Sequence, residues 1–257
     1  MSEAIDQGHV HATVDDRMVA TIEFGHPLSN SLPGAILRKL ADTITEMGQR
    51  SDVKLIVLRS EGNKAFCAGA SFDELISIKD LDTGKVFFSG FAMVINACRK
   101  CPKLIIGRVQ GKAVGGGVGI ASAVDYCFAT KKADVKLSEL AVGIGPFVVG
   151  PAVERKIGLS AMSQLAINAT EWQTAEWAYN NGLYASLSDS EEMMDEEIER
   201  LVTQLSKSSP EAMAELKKIF WQGTENWDTL LVERAGISGT LVLSDFTINA
   251  INAFKKN

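Results

Sequence analysis

The feature that most constrains this chain is a glycine-rich segment over residues 109–120, in which five glycines fall within nine residues. The segment follows the apolar run 104–106 and leads into the apolar residues 120–124. Because glycine has no Cβ, the backbone can turn sharply there and come close to a ligand. The pattern predicts a strand, a tight turn and the start of a helix, whose free N–H groups can hold negative charge. A purely structural turn packed under the helix is the alternative.

Two well-known glycine motifs do not fit this segment. No Lys-Ser or Lys-Thr pair follows the glycines, which excludes a phosphate-binding P-loop. The spacing over residues 115–120 does not give the G-x-G-x-x-G pattern of a dinucleotide-binding turn. The glycines must therefore serve another kind of ligand or the packing of the chain itself.

Composition limits the classes of function. The chain has 257 residues, 46% of them hydrophobic, and a net charge of −6 with scattered Lys and Arg. This balance argues against nucleic acid as a main partner, and no uninterrupted apolar segment is long enough to span a membrane. The first six residues are acidic and lack a signal-peptide core. We therefore expect a cytoplasmic protein with neither a nucleic-acid nor a membrane partner.

Cysteine and histidine usage restricts the chemistry further. Four cysteines are too few and too widely spread for a disulfide framework. Cys98 and Cys101 have the spacing of metal ligands, but no second pair or nearby histidine completes a site, so we expect no metal. The three histidines all lie in the first tenth of the chain. Acid–base chemistry must therefore come from carboxylates, tyrosine or cysteine.

Hydrophobic periodicity predicts an α/β body followed by helices. Residues 11–24 alternate around an Asp-Asp turn, which predicts a hairpin, and strands and helices then alternate to about residue 140. Helices are expected over residues 33–48, 71–78, 85–99, 160–168, 174–180, 191–206, 210–222, 227–243 and 245–255. The change to helices alone near residue 200 predicts a core over residues 1–200 and a helical C-terminal region over residues 201–257.

A second small-residue turn lies over residues 63–75, after the strand expected at 54–59. Residues 65–71, Ala-Phe-Cys-Ala-Gly-Ala-Ser, resemble the A-F-x-A-G-A-D motif of the enoyl-CoA hydratase/isomerase (crotonase) superfamily. Residues 109–120 resemble its N-G-x-A-x-G-G-G motif, and residues 27–32 its P-x-x-N-A/S-L segment. The order and spacing of the motifs also match. The resemblance implies an α/β crotonase-like spiral of repeated ββα units with a C-terminal helical region that forms oligomers.

The resemblance gives both turns a chemical role. Crotonase relatives process acyl-CoA thioesters through an enolate-like intermediate, whose oxyanion needs donors already aimed at it. By motif position these donors are the backbone N–H groups of Ala70 and Gly116. Simple helix packing is the alternative explanation for the small residue at Ala70.

The resemblance also implies how the substrate is held. The expected substrate-binding residues are Lys64, Phe66, Cys67, Ala68, Ser71, Phe72, Gly115 and Phe147. The backbone around residues 67, 68 and 72 would contact the adenine end of CoA, with Lys64 near the phosphates; a solvated surface lysine is the alternative. Ser71 replaces the motif's Asp and can still cap a helix. Coenzyme A enters as part of the substrate, and no separate cofactor is expected.

The number of carboxylates in the site distinguishes the reactions that the family catalyses. Members that hydrate a double bond use two glutamates to hold and activate one water. In this chain the position of the first glutamate is Gly119, which has no side chain. The second glutamate is kept as Glu139. One carboxylate fits a one-base shuttle between C2 and C4 of a 3-enoyl-CoA, as in the isomerase branch. Hydration by one glutamate, decarboxylation of an acyl-CoA and a non-catalytic acyl-CoA-binding role are the alternatives. We interpret Asp73 and Glu74 first as charges that stabilise the start of a helix; a role as the second acid is the alternative.

Aromatic residues suggest where the acyl group lies. The pocket is expected to be lined by residues 72–78, by Phe87, Phe88 and Phe91, and by residues 147–148. Three phenylalanines on one helix are also typical of a core stripe, which is the alternative.

The C-terminal helices predict a subunit interface, because their amphipathic faces expose more apolar surface than one small region can bury. The family resemblance implies a homotrimer or a dimer of trimers. It also places Phe254 and Lys255 near the CoA of a neighbouring subunit.

Overall fold

The computed structural model describes residues 8–254; the acidic residues at the N-terminus and Lys255 lie outside the described part. Within residues 8–254 the strands are β1 (His9–Val14), β2 (Val19–Gly25), β3 (Ser31–Leu32), β4 (Leu55–Ser60), β5 (Gly69–Ala70), β6 (Leu104–Val109), β7 (Ala113–Val114), β8 (Tyr126–Thr130), β9 (Val135–Lys136) and β10 (Ser186–Ser188). The α-helices are α1 (Gly34–Gln49), α2 (Phe72–Leu75), α3 (Leu81–Lys100), α4 (Gly116–Ala123), α5 (Gly150–Ile167), α6 (Ala175–Asn180), α7 (Glu191–Leu205), α8 (Pro210–Phe220), α9 (Trp227–Leu241) and α10 (Asp245–Phe254). A 3₁₀ turn covers Glu139–Val142.

The strands and helices repeat a ββα unit along the chain. β1, β2 and α1 form the first unit; β4 and β5 with α2 and α3 form the second; β6, β7 and α4 form the third; and β8, β9 and α5 form the fourth. In the last three units the first strand joins a large sheet, and the second, only two residues long, joins a small second layer. The α/β architecture expected from the sequence is confirmed.

The large sheet has the strand order β1-β2-β4-β6-β8-β10. β1 and β2 form the expected antiparallel hairpin, with Val10 opposite Phe24, and the other neighbours run parallel. Every residue of β6 is buried, as a parallel strand covered on both faces requires. The sheet is therefore a rigid support for the short strands that follow β4, β6 and β8.

Two apolar clusters cover the faces of the sheet. Ile56 and Leu58 of β4 face the main core, while Leu55 and Val57 face a smaller cluster closed by α7. This alternation follows from the two-residue period of a strand. Each such side chain contributes roughly 1.5–3 kcal/mol when fully buried, so the position of the sheet between its helices is strongly determined.

Some elements differ from their sequence-based bounds. The helix expected over residues 71–78 is the single turn α2, which ends at Leu75, and Asp80 starts the next helix by accepting a hydrogen bond from the Thr83 N–H at 2.8 Å. α5 begins at Gly150 rather than at residue 160, and Gly158 interrupts it with a φ of +76°. Strands β3, β5, β7 and β10 are too short for hydrophobic periodicity to indicate them.

The helices after residue 200 pack onto the main core. α9 approaches α3 so closely that a Cβ on Gly84 would lie 3.0 Å from the Cα of Gly239. Trp227 and Leu231 of α9 are buried members of that core. Residue 200 lies inside α7, and the division of the chain there stays a prediction. No helix within residues 8–254 is both long and apolar enough to cross a membrane.

Candidate active site

The short strands of three consecutive ββα units end at one place. Ala70 ends β5, Gly116 follows β7 after one residue, and Glu139 comes three residues after β9. β7 pairs with β9, and Cys67, just before β5, forms a bridge with Ala113 of β7. The spiral therefore brings together residues that are far apart in the sequence.

The turn at the end of β5 lies directly against the turn after β7. Gly69 has a φ of +91°, which favours glycine. A Cβ there would lie 3.2 Å from the Val114 carbonyl oxygen and 3.8 Å from the Gly116 nitrogen. On the opposite side the Ser31 hydroxyl donates to the Ala70 carbonyl at 2.8 Å. These contacts fix the Ala70 peptide beside Gly116.

The second turn presents an N–H group at the start of a helix. Gly116 is the first residue of α4, so its N–H has no acceptor within that helix. Gly115 before it has a φ of +52°, and its N–H donates to the Lys136 carbonyl at 2.8 Å, which ties the turn to β9. A Cβ on Gly116 would lie 2.1 Å from Cζ of Phe91. Any side chain at position 116 would therefore have to displace the buried Phe91 ring.

Ala70, Gly116 and Glu139 all line one cavity of about 520 Å³. Most of its wall is apolar: Phe72, Leu75, Phe87, Phe88, Phe91, Ile144, Phe147, Val148 and Val149 all contribute. The three phenylalanines of α3 thus line this cavity, as one sequence-based alternative expected. Phe91 also belongs to the main core and Phe88 packs against it, as the other alternative expected. A cavity of this size and character suits a small organic group held by a few polar contacts.

Glu139 begins the 3₁₀ turn and points toward the glycine turn. Its Oε1 would lie 2.8 Å from a Cβ on Gly115. Its Oε2 is buried, and no hydrogen-bond partner contacts it within residues 8–254. Burial raises the pKa of Glu139 to about 7, because the charged form loses its hydration. A carboxyl group with this pKa can both accept and return a proton near neutral pH.

Gly119 is buried, as is every residue of α4. A Cβ there would lie 2.5 Å from Cγ1 of Val149 and 3.7 Å from Cδ1 of Ile95. Val149 lines the cavity, whereas Gly119 does not. The valine therefore occupies the space through which a side chain at position 119 would reach the cavity.

Glu139 is the only carboxylate in the described part of the cavity wall. Asp73 and Glu74, the candidate second acids, lie outside this wall. Glu74 instead accepts a hydrogen bond from the Gly34 N–H at 2.8 Å, which links α2 to α1.

Of the eight expected binding residues, four line the cavity and four do not. Ala68, Phe72, Gly115 and Phe147 line the cavity. The side chains of Phe66 and Cys67 are buried in the main core, so only their backbone remains for a ligand. Ser71 is buried and caps α2, accepting a hydrogen bond from the Glu74 N–H at 3.4 Å. Lys64 is exposed and lies outside the cavity wall.

Sequence reasoning missed several polar residues of the cavity, namely Ser31, Lys136, Ser138 and Thr170. Ser31 lies in the segment 27–32, so its motif could have pointed to it. Lys136 enters the wall because β9 pairs with β7 in the register Val114 opposite Lys136, and sequence periodicity does not reveal the pairing of two-residue strands. Lys136 also packs with Lys112 on Trp172, with Nζ-to-centroid distances of 5.2 and 4.4 Å.

Known proteins share this sequence pattern and fold. The family model for enoyl-CoA hydratase/isomerase matches residues 15–236. A probable enoyl-CoA hydratase of Bacillus subtilis (strain 168) is 27% identical over 207 residues, covering 80% of each chain. A trans-2-decenoyl-[acyl-carrier-protein] isomerase of Streptococcus mutans is 26% identical over 215 residues, covering 81% of this chain and 80% of that protein. The crystal structure of an enoyl-CoA hydratase from Bacillus halodurans superposes with a TM-score of 0.87, 19% identity and coverage of 95% of this chain and 99% of that one.

The structural likeness establishes the crotonase fold, and the family model spans most of the chain. Both agree with the two glycine turns and the cavity that they enclose. The chain therefore belongs to the enoyl-CoA hydratase/isomerase family.

Proposed function

We propose that this acyl-CoA enzyme isomerises 3-enoyl-CoA to 2-enoyl-CoA, with Glu139 as its single acid/base and the N–H groups of Ala70 and Gly116 as the oxyanion hole. One observation carries the proposal. Within the described cavity wall the only carboxylate is Glu139, whose pKa burial raises to about 7, and it lies against the turn that supplies one of the two donors.

The proposed reaction needs no co-reactant. Glu139 removes a proton from C2, and the electron pair of that C–H bond forms a dienolate whose negative charge lies on the thioester oxygen. The two N–H groups stabilise this oxygen; removal of one such donor typically costs about 2.7–4 kcal/mol of transition-state stabilisation. As the carbonyl re-forms, the double bond moves to C2–C3 and C4 takes the proton back from Glu139. The proton, the electron pair and the base are all restored.

Hydration is less well supported by the residues around the cavity. A positioned water is held best by two polar groups, and the loss of one lowers the effective concentration of the nucleophile. Val149 blocks the route from position 119, and Asp73 and Glu74 lie outside the cavity wall. The Streptococcus mutans relative, whose name describes an isomerase, further supports a proton-transfer reaction for this site.

A side-by-side assay tests the proposal. Purified protein would be given 3-hexenoyl-CoA to isomerise and crotonyl-CoA to hydrate, under the same conditions. We expect isomerisation to dominate and to fall by at least 10²-fold in Glu139→Gln, which keeps the size of the side chain but cannot accept the proton. Dominant hydration, or an isomerisation rate that survives Glu139→Gln, would reject the one-base mechanism.

The remaining expectations belong to the same proposal. The backbone of Cys67 and Ala68 would contact the CoA moiety and Lys64 its phosphates, and CoA would serve only as part of the substrate. We also infer a cytoplasmic homotrimer or dimer of trimers. The exposed apolar side chains of Leu216, Ile219 and Phe220 on α8 support a subunit interface.

A further inference from the structure

A second cavity of about 490 Å³ lies beside the proposed active site. It is lined by α1, by the end of α2 and the residues that follow it, and by α3 as far as Met93. The two cavities have one lining residue in common, Phe87. The two cavities therefore meet at this side chain.

The geometry of α3 explains this arrangement. Successive helical residues are rotated by about 100°, so residues three and four apart share a face. Val86, Gly90 and Met93 face the second cavity, while Phe88 and Phe91 face the first. Phe87 lies at the edge between these two faces. α3 is thus the common wall, with Phe87 at its boundary.

The wall of the second cavity has a polar and an apolar part. The polar residues are Arg38, Glu74, Ser77, Asp82 and Thr83, all exposed except the half-buried Glu74. Ala35, Ile78, Val86 and Met93 belong to the apolar part, and Val86 is 63% exposed although it is fully apolar. At its base a Cβ on Gly90 would lie 2.7 Å from Cδ1 of Leu37, so the helices close tightly beneath it. The apolar part of this wall gains free energy by covering an alkyl chain.

We propose that the second cavity is a subsite for the distal methylenes of a long acyl chain, and that Phe87 is the residue that separates it from the reaction cavity. The inference rests on the proposed acyl-CoA site, because the same chain must begin at the oxyanion donors and continue past Phe87. The occupant follows from this continuity: an alkyl tail that fills the phenylalanine-lined cavity meets Phe87 next.

Phe87 lies outside the main core. Its side chain is only half-buried, and it contacts Phe88 edge-on, with the ring centroids 5.0 Å apart. Rotation about the first side-chain torsion of a partly exposed residue is fast compared with catalysis. A long chain can therefore displace the ring, whereas a short chain leaves it in place.

Binding of saturated acyl-CoAs tests the subsite without depending on turnover. Dissociation constants would be measured by calorimetry for chains of increasing length, from butanoyl-CoA to tetradecanoyl-CoA. Each methylene buried in the second cavity should lower Kd by about fourfold, the equivalent of about 0.8 kcal/mol. Val86→Trp should fill the subsite, so that Kd no longer falls with length for the longest chains. Phe87→Ala should let this fall in Kd begin at a shorter chain length, because the aromatic ring at the boundary is gone.

Matched controls separate the subsite from general effects. Lys85→Trp introduces the same ring at an exposed α3 position that lines neither cavity, and it should reproduce the wild-type dependence on chain length. Phe88→Ala enlarges only the first cavity and should not restore long-chain binding to Val86→Trp. If Kd stops falling at the same chain length in the wild type, Val86→Trp and Phe87→Ala, the proposed subsite is rejected. Absence of isomerase activity with this binding pattern intact would instead reject only the proposed reaction.

Discussion

The carboxylate of Glu139 rests against the backbone of Gly115: a Cβ on that glycine would lie 2.8 Å from Oε1. The proposed base therefore lies beside the residue that precedes the proposed donor Gly116. Any side chain at position 115 would meet the carboxylate, so the position of the base depends on the glycine.

Gly115→Ala should damage both the reaction and the fold. The methyl group would meet the carboxylate, and a φ of +52° with a ψ of −113° is a conformation that alanine adopts only under strain. We expect a loss of roughly 1–3 kcal/mol in the free energy of unfolding, together with a drop in kcat. Gly236→Ala is the control, since nothing lies within 4 Å of a Cβ there. Urea unfolding and the isomerase assay measure both effects; wild-type values in Gly115→Ala would contradict the tight contact.

The pH dependence of the reaction should follow Glu139. Burial raises the pKa of Glu139 to about 7, and only the ionised form can accept the C2 proton. kcat/KM should therefore rise with pH, from about one-tenth of its plateau at pH 6 to about nine-tenths at pH 8. A profile already flat at pH 6 would show that the titrating base is another group or that Glu139 ionises normally.

The same carboxyl group should make stability depend on pH. Its pKa is higher in the folded protein than its ordinary value of 4.5, so the folded state binds the proton more tightly than the unfolded chain does. The resulting stabilisation is fully present below about pH 4.5 and is lost as the pH rises through 7. Relative to Glu139→Gln, the wild type should lose up to about 2 kcal/mol between pH 5 and pH 8. Urea titrations of both proteins at the two pH values give this difference, and a constant difference would contradict it.

The large sheet and its helices could be predicted because the hydrophobic pattern that indicates each element lies within a short stretch of sequence. β4 and β6 are apolar runs bounded by turn residues, and the helices α1 and α3 show strong periodicity. The short strands β5 and β7 are different, because two residues carry no periodicity. They exist only because the neighbouring units align them, which is a property of the whole spiral.

The proximity of the candidate residues could be predicted where a motif marks the backbone. Motif position selects Ala70, Gly116 and Glu139, and all three line one cavity in the structure. The resemblance could not show that Val149 stands against Gly119, or that Lys136 lines the wall, since both contacts depend on packing between distant elements.

The C-terminal helices predict an oligomer. α8 exposes Leu216, Ile219 and Phe220, and α9 exposes Val232 and Ile237. Apolar residues gathered on neighbouring helices are typical of a subunit interface. Light scattering at micromolar concentration should give the mass of a trimer or hexamer of this 27.7 kDa chain. A monomer at that concentration would contradict the proposal, and Ile219→Glu should shift the equilibrium toward smaller species.

Restoring a second glutamate should fail unless Val149 is also changed. In Gly119→Glu the new side chain would collide with Val149, whose Cγ1 lies 2.5 Å from the Cβ position. Overpacking of this kind typically costs about 1–3 kcal/mol, and a buried charge adds to the cost. Gly119→Glu alone should therefore unfold at lower urea and gain no hydration of crotonyl-CoA.

The double variant Gly119→Glu with Val149→Ala gives the new carboxylate a route into the cavity. We expect its loss of stability to be smaller than the sum of the two single losses, because the residues are in contact. Hydration of crotonyl-CoA should appear in this variant and in neither single one. Gly236→Glu, a helical glycine with open space around it, controls for the added charge. Additive losses in the double variant would show that Val149 is not what excludes a side chain from position 119.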